Sequence, residues 1–492
     1  MQNEKHEELE VKETGTVSRR QFLKMAGVAG AAIGLAGGLG GLVAACGDDE
    51  PPAETTTTGA AAETTTTAAA ETTTTAAQTT TTGNGAPTPG DAIKIGVVSP
   101  QTGGLAMYGV VDTWWVDHAT KALGDGIVGA DGKLHPIQIV VRDSQSDSNR
   151  AAQVAGDMIQ NDGCHMILAG GTPDTIDPAA DQAEAFETPF LSNLSPYQPF
   201  YFGRQKDPAN PQPFKWTYGL LLGTEQAMHI FVEVYKDIET NKKVGMLFAN
   251  DTDAQGWLDE KTGAPVVLKE YGYEMILPSL YQPGAEDFTE QISMFKKEGV
   301  EILCGTNNPA ELTNFWKQAL QQGFHPKIAS SGKALGYVST LEAIGEIAYG
   351  FLGEGVWHPT WPFKDTLTGM TCQELADEYE AFTGDMWTAA MASYSKFEWA
   401  IDVFKRAADP MDKETVVEAI KTTNMTTMQG PINFTEPVDP KGWHPNENVY
   451  KQLFCAVQWR KGTKYMFEPV IVGNAEATMV TIQGKIEPMQ YS

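Results

Sequence analysis

Several stretches of this sequence set reactive residue types at spacings that chemistry uses. Ser393-Tyr394-Ser395-Lys396 and Lys261-Thr262-Gly263 spell a serine nucleophile with a lysine base and a partner motif, but their order along the chain is the reverse of the one that acyl transfer by this set follows. Gly124-Asp125-Gly126-Ile127-Val128-Gly129 has the glycine spacing of a pyrophosphate cradle. A cradle needs a strand before it and a helix after it; here a helical pattern precedes and a strand-like run follows, so a turn is expected. Asp251, Asp253 and Gln255 ahead of Gly256 imitate a calcium loop, but its twelfth position holds Thr262 where a bidentate glutamate is needed. HExxH, GxSxG and CxxC are absent from the sequence. No catalytic residue, metal or cofactor is therefore expected. Among the cysteines, Cys164 and Cys304 sit in strand-like runs and read as small core residues. Cys372 and Cys455 could pair outside the membrane, and their spacing leaves that open.

The balance of 35 basic against 63 acidic residues gives a net charge of −28. A nucleic-acid binder needs a basic face to displace phosphate counterions, so that class is excluded. Hydrophobic content of 41% with 9% aromatics suits a packed globular body. Ser18-Arg19-Arg20-Gln21-Phe22-Leu23-Lys24 resembles a twin-arginine export signal, with Arg19 and Arg20 as its pair. The stretch after it is too rich in glycine for a good membrane-spanning helix, and it ends in Val43-Ala44-Ala45-Cys46, which resembles a lipobox. Residues 1–45 are expected to be removed and Cys46 to carry lipid. The leader holds five basic and five acidic groups, so the acidity belongs to the exported part.

Residues 46–91 repeat units such as Glu54-Thr55-Thr56-Thr57-Thr58 between alanines and contain no aromatic or large aliphatic side chain. Nothing there can offset the entropy of ordering, so a disordered tether is expected. As a coil it would reach roughly 35–40 Å.

Beyond the tether, short β-branched runs alternate with helical patterns. Strands are expected at 93–98, 137–142, 165–168, 190–191, 244–248, 274–277, 302–304 and 328–330. Helices are expected at 108–123, 150–161, 175–186, 224–239, 257–271, 287–298 and 310–322. The alternation implies an α/β fold with parallel sheets, and the Pro-rich break at 208–213 divides it into two series, hence two Rossmann-like lobes.

Ile93-Lys94-Ile95-Gly96-Val97-Val98-Ser99-Pro100, followed by Thr102 to Gly109, resembles the first strand and loop of the leucine/isoleucine/valine-binding family of type I periplasmic binding proteins. Arg142 to Asp147 with Ala151-Ala152 is similar to its second strand and helix, and Met428 to Phe434 to its late crossover. The resemblance implies lobe 1 from 92–216 plus 359–429, lobe 2 from 217–358 plus 430–492, and a multi-crossover hinge. It also implies the solute-binding subunit of an ABC importer. Its partners would be a small polar solute, such as a branched-chain amino acid or a related amide or carboxylate, the permease and ATPase subunits, and the membrane through Cys46. Two other readings stand beside it: a ligand sensor outside the cytoplasm that serves a signalling receptor, and a Tat-exported enzyme.

In open α/β sheets ligands sit beyond the carboxyl ends of the strands, so the loops there are where binding residues are sought. Matched residue by residue, Tyr108 and Tyr394 fall on the family's cleft tyrosines. Thr172, Pro173, Leu194 and Ser195 fall where it grips a carboxylate. Asp253 and Asn308 replace aromatic residues, and Lys333 stands where amino-acid binders carry an acid for the ammonium group. Trp357, in the segment expected to cross between lobes, is the tryptophan favoured for the pocket. With Lys333 facing the cleft, an anionic or neutral solute is expected, unless Asp251 or Asp253 supplies the missing acid.

Overall fold

The computed structural model describes residues 86–491. The expected signal with Arg19 and Arg20, Cys46 and most of the tether lie outside the described residues.

Of the nineteen strands among the described residues, fourteen build two parallel sheets and an adjoining ribbon: β1 (Ile93–Ser99), β2 (Ile137–Asp143), β3 (Met166–Gly170), β4 (Phe190–Pro196), β5 (Thr217–Leu222), β6 (Lys243–Phe248), β7 (Glu274–Ile276), β8 (Ile302–Asn307), β9 (Ile328–Ala329), β10 (Gly332–Lys333), β11 (Leu352–Gly355), β12 (Val449–Lys451), β13 (Phe454–Lys461) and β14 (Phe467–Glu476). The first sheet runs β12-β5-β4-β3-β1-β2, parallel throughout. The second runs β7-β6-β8-β9, with β10 beside β8, and is also parallel. An antiparallel ribbon, β11-β13-β14, adjoins it through the bridge between Ser330 and Leu352.

Both parallel sheets have continuous apolar strands because helices cover both faces. All five residues of β3 and all six of β8 are buried. Helix Thr224–Tyr235 packs on β14, and helices Ser148–Gln160 and Pro173–Ala185 pack on each other beside the first sheet. The α/β architecture is the one expected. Strands β5 and β12 pair within the first sheet, so the chain leaves that sheet after Leu222 and again after Lys451. The sequence reading sets the changeovers at 216/217 and 429/430, ahead of these two strands. A strand edge carries the chain further than the Pro-rich break suggested.

Two helical expectations also shift. The stretch expected at 257–271 breaks into Thr252–Trp257 and Ala264–Glu270, because Gly263 lies so close to the carbonyls of Trp257 and Asp259 that a Cβ would meet their oxygens at 2.5 and 2.7 Å. The one at 108–123 divides into Ala106–Gly109 and Asp112–Leu123. The segment Gly124–Gly129 is a turn with the two-residue strand Ile127–Val128. Cys372 donates to the Met428 carbonyl and Cys455 to that of Gly355, at 3.4 and 3.3 Å, and both remain thiols.

Candidate functional site

The loops that follow β1, β3 and β4 meet the loops that follow β6 and β10. Tyr108 lies on the short helix after β1, and its ring meets that of Tyr337 edge-on at 5.0 Å and 68°. Beyond β3 the chain turns at Gly171, whose φ of +129° suits glycine and whose missing Cβ would stand 3.5 Å from the Tyr108 ring. Thr172 then occupies the N-cap position of helix Pro173–Ala185, with Pro173 at the first turn, where a missing N–H loses nothing. In β4, Leu194 takes φ +67° where the pairing with β5 slips between Asn193 and Pro196. Such left-handed residues persist where the surrounding structure fixes them. Thr172 Oγ1, Asn193 Oδ1 and Ser195 Oγ are buried and hold no hydrogen-bond partner.

On the facing side, Asp251 caps helix Thr252–Trp257 by accepting from the Ala254 N–H at 2.9 Å. This is the role of the apparent calcium loop. One residue further, Thr252 Oγ1 donates across the seam to Asp174 Oδ1 at 2.7 Å. Gln198, just after β4, donates to Glu225 Oε2 at 2.6 Å and to the Thr262 carbonyl at 3.2 Å. These bonds hold the two sets of loops together.

Asp253 Oδ2 lies 2.8 Å from Lys333 Nζ, and both side chains are 6% exposed. Lys333 has φ +52°, and its N–H donates to Glu354 Oε2 at 3.1 Å. Gly332 lets Glu354 come so near, because a Cβ there would stand 2.3 Å from Oε1. Burial pulls the Lys333 ammonium down, but Asp253 and Asp251 outweigh it and hold the group above its ordinary range. Burial, with Asp253 adding, pushes the Glu354 carboxyl up to about 7 and that of Asp251 up to about 6. The Tyr108 phenol is raised by burial and then by Tyr337, Asp253 and Glu354. Its sensitivity to both acids places Tyr108 in the same electrostatic neighbourhood as the Asp253–Lys333 pair. On the second sheet, Asn308 opens helix Pro309–Gln321 with its N–H bonded to Glu311 Oε2 at 3.2 Å and its side-chain oxygen unpartnered.

Residues 92–450, which carry both sheets and every one of these loops, match the family model described as periplasmic binding protein. The chain belongs to the periplasmic binding protein family. Its residues 16–36 match the model for the twin-arginine translocation signal, so this periplasmic binding protein is marked for export from the cytoplasm. It is similar to the leucine-, isoleucine-, valine-, threonine- and alanine-binding protein of Pseudomonas aeruginosa, 22% identical over 75% of this chain and 91% of that one. Among solved structures it resembles a leucine-binding protein of Thermotoga maritima, 20% identical over 78% of this chain and 99% of that one, with a TM-score of 0.64. It also resembles a solute-binding protein of an ABC transporter from Rhodopseudomonas palustris in complex with 3,4-dihydroxybenzoic acid, 17% identical over 79% and 99%, with a TM-score of 0.60. These likenesses show the type I periplasmic binding protein fold.

Two further residues read from the sequence are packed among aromatic side chains of this periplasmic binding protein. Tyr394 is drawn into the core around Trp114, Trp115, His118 and Phe397, and its hydroxyl donates to Asp365 Oδ1 at 3.0 Å. Trp357 is buried against Trp387, with ring centroids 5.7 Å apart, and its indole Nε1 holds no hydrogen-bond partner. Tyr337 and Glu354 were missed by the sequence reading, whereas Asp174 closes the loop after a strand, 170–174, where binding residues are sought. Glu354 left a signal, as the lone charge in the apolar run Phe351 to Trp357. Tyr337 left none, since a surface loop would carry the same residue.

The Ser393–Lys396 pair sits beneath the strand ends. Lys396 is buried, donates to the Ser393 carbonyl at 2.8 Å and to its hydroxyl, and is pushed down to about 8 by burial. Its Nζ and Asn193 Oδ1 would each lie 3.1 Å from a Cβ on Gly170.

Proposed function

We propose that this chain is the capture subunit of an ABC importer, held outside the cytoplasmic membrane by lipid on Cys46. It takes a small polar solute between its two lobes and offers the closed form to the permease and ATPase subunits. No reaction is carried out on the solute, and the buried Ser393–Lys396 pair serves the packing of lobe 1.

The observation that carries this reading is the group of buried, unpartnered acceptors at the strand ends, Thr172 Oγ1, Asn193 Oδ1 and Ser195 Oγ, beside loops that bond across the seam. A buried polar atom without a partner costs about 1–3 kcal/mol, and a solute's N–H and O–H groups would supply the partners. Closure by hinge bending between two α/β lobes is the motion such an arrangement serves. Tyr108, Thr172, Pro173, Leu194, Ser195, Asp253, Asn308 and Lys333 are proposed as the residues that shape the cleft. The relatives' own names point the same way, since they bind amino acids or small aromatic acids.

The test is isothermal titration of the mature protein against amino acids, amides, amines and aromatic acids. Saturable binding that Tyr108→Ala and Thr252→Val weaken supports capture. Silence across the panel from a protein that unfolds cooperatively overturns it.

A further inference from the structure

We infer that the solute carries a net positive charge, an organic ammonium or guanidinium held between carboxylates of both lobes and the Tyr108–Tyr337 pair. This rests on the capture reading and names the class of solute that the site takes.

The charge census at the seam supports it. Lobe 1 brings Asp174 and Asp177 on helix Pro173–Ala185, and lobe 2 brings Asp251 and Asp253 at helix Thr252–Trp257. The ribbon adds Glu354 on β11. The bond from Thr252 to Asp174 places the two helix starts side by side. Two cations stand near them: Lys333, taken by Asp253 at 2.8 Å, and Arg204, which acts on Asp177 and is taken by Asp181 at 2.8 Å. Among the described residues, Asp174, Asp177, Asp251 and Glu354 form no ion pair. The acceptors that Asp251 and Glu354 do satisfy are backbone N–H groups, of Ala254 and Lys333, which bring no whole charge.

A second observation points to a ligand independently of charge. Thr172, 2% exposed, stands on the turn that carries Asp174 into the seam, and its hydroxyl holds no partner. A hydroxyl oxygen accepts from N–H donors, of which ammonium and guanidinium groups have several. The ring faces of Tyr108 and Tyr337 attract a cation through their quadrupoles. The protonation behaviour agrees in direction: burial, with neighbouring carboxylates adding, raises Asp251, Asp177 and Glu354 alike. A bound cation would offset both the burial and the neighbouring carboxylates. Lys333 accordingly does not turn the cleft toward anions, as its position in the sequence suggested.

The same chemistry has two sources, a basic amino acid and an amine without a carboxylate. Titration of the mature protein with L-arginine, L-lysine, agmatine and putrescine, beside L-leucine, L-glutamate and 4-hydroxybenzoate, separates them. Expected is binding of at least one cationic probe about tenfold or more tighter than L-leucine, equal to about 1.4 kcal/mol. Glu354→Gln, which keeps shape and hydrogen bonding, should weaken that probe about tenfold while leaving the unfolding transition cooperative. Arginine without agmatine identifies a basic amino acid, and the reverse identifies a free amine. If leucine, glutamate or hydroxybenzoate binds more tightly than every cationic probe, the inference falls while capture stands. If all seven are silent and a wider metabolite panel is silent too, capture falls and this inference with it.

Discussion

Lys333 Nζ and Asp253 Oδ2 lie 2.8 Å apart with both side chains almost wholly out of solvent. The pair ties helix Thr252–Trp257, which follows β6, to β10, so it fixes one loop of lobe 2 against another before any solute arrives. Breaking a buried pair by removing one partner leaves the other charge uncompensated, a loss of roughly 3–5 kcal/mol, whereas an apolar pair of similar volume is often neutral. Lys333→Met should therefore destabilise the protein by that amount in urea unfolding. The double variant Lys333→Met with Asp253→Leu should recover most of it. Equal losses for the single and double variants would show that the pair holds nothing together.

Glu354 gives a pH signature. Burial, with Asp253 adding, raises its folded pKa to about 7 from an ordinary 4.5. A group raised in the folded state contributes stability that is full below its unfolded pKa and lost as pH rises through its folded pKa. Stability should thus fall between about pH 4.5 and 7, by roughly 3 kcal/mol for a shift of this size. Asp251, raised to about 6, adds a fall of the same sign. Chemical denaturation across this range should give a shallower slope for Glu354→Gln than for the wild type. An unchanged slope would place the titration elsewhere.

The seam has its own test in Thr252. Its hydroxyl donates to the Asp174 carboxylate at 2.7 Å, and a hydrogen bond to a charged group contributes about 1.5–3 kcal/mol. Thr252→Val keeps the shape and removes the donor. We expect solute affinity about tenfold weaker or more, with small-angle scattering of the unliganded variant showing a wider separation of the lobes. A variant that binds and scatters as the wild type does would show the bond to be incidental to closure.

Anchoring and export separate cleanly. Cys46→Ser should release the protein from the membrane fraction into the soluble fraction outside the cytoplasm. Replacing Arg19 and Arg20 with lysine should instead leave uncleaved protein inside. Fractionation with immunodetection reads both, and Cys46→Ser protein that stays with the membrane would overturn the lipid anchor.

The architecture was largely legible because parallel strands, covered on both faces, are written as unbroken apolar runs, and those runs led to β1, β3, β6 and β8. Strands β5 and β12 were not legible as first-sheet strands. Thr217 to Leu222 follows a Pro-rich break that reads as a boundary, and Val449–Lys451 is too short to carry a period. The site was half legible. Thr172 and Ser195 lie directly at strand ends, where position alone singles them out. The burial of Tyr394 was not legible, because its partner Asp365 lies 29 residues earlier, in a stretch with no pattern of its own. The sign of the cleft was hidden for a related reason. Lys333 is visible as one charge at one position, while the acids around it come from three separate segments that only the folded chain assembles.

Gly170 has a consequence for how this cleft could ever be retuned. A side chain there would press on Lys396 Nζ and Asn193 Oδ1 at 3.1 Å, and the next residue, Gly171, is held at φ +129° against Tyr108. At Gly170 a side chain is accommodated only if Lys396 or Asn193 gives way by a few tenths of an ångström, and at Gly171 the backbone strains any L side chain. Lys333 and Asp253, by contrast, are expected to be exchangeable as a pair. New specificities should be reachable by rewriting the wall of lobe 2 over an unaltered floor, which makes one lobe the chassis and the other the interchangeable reader.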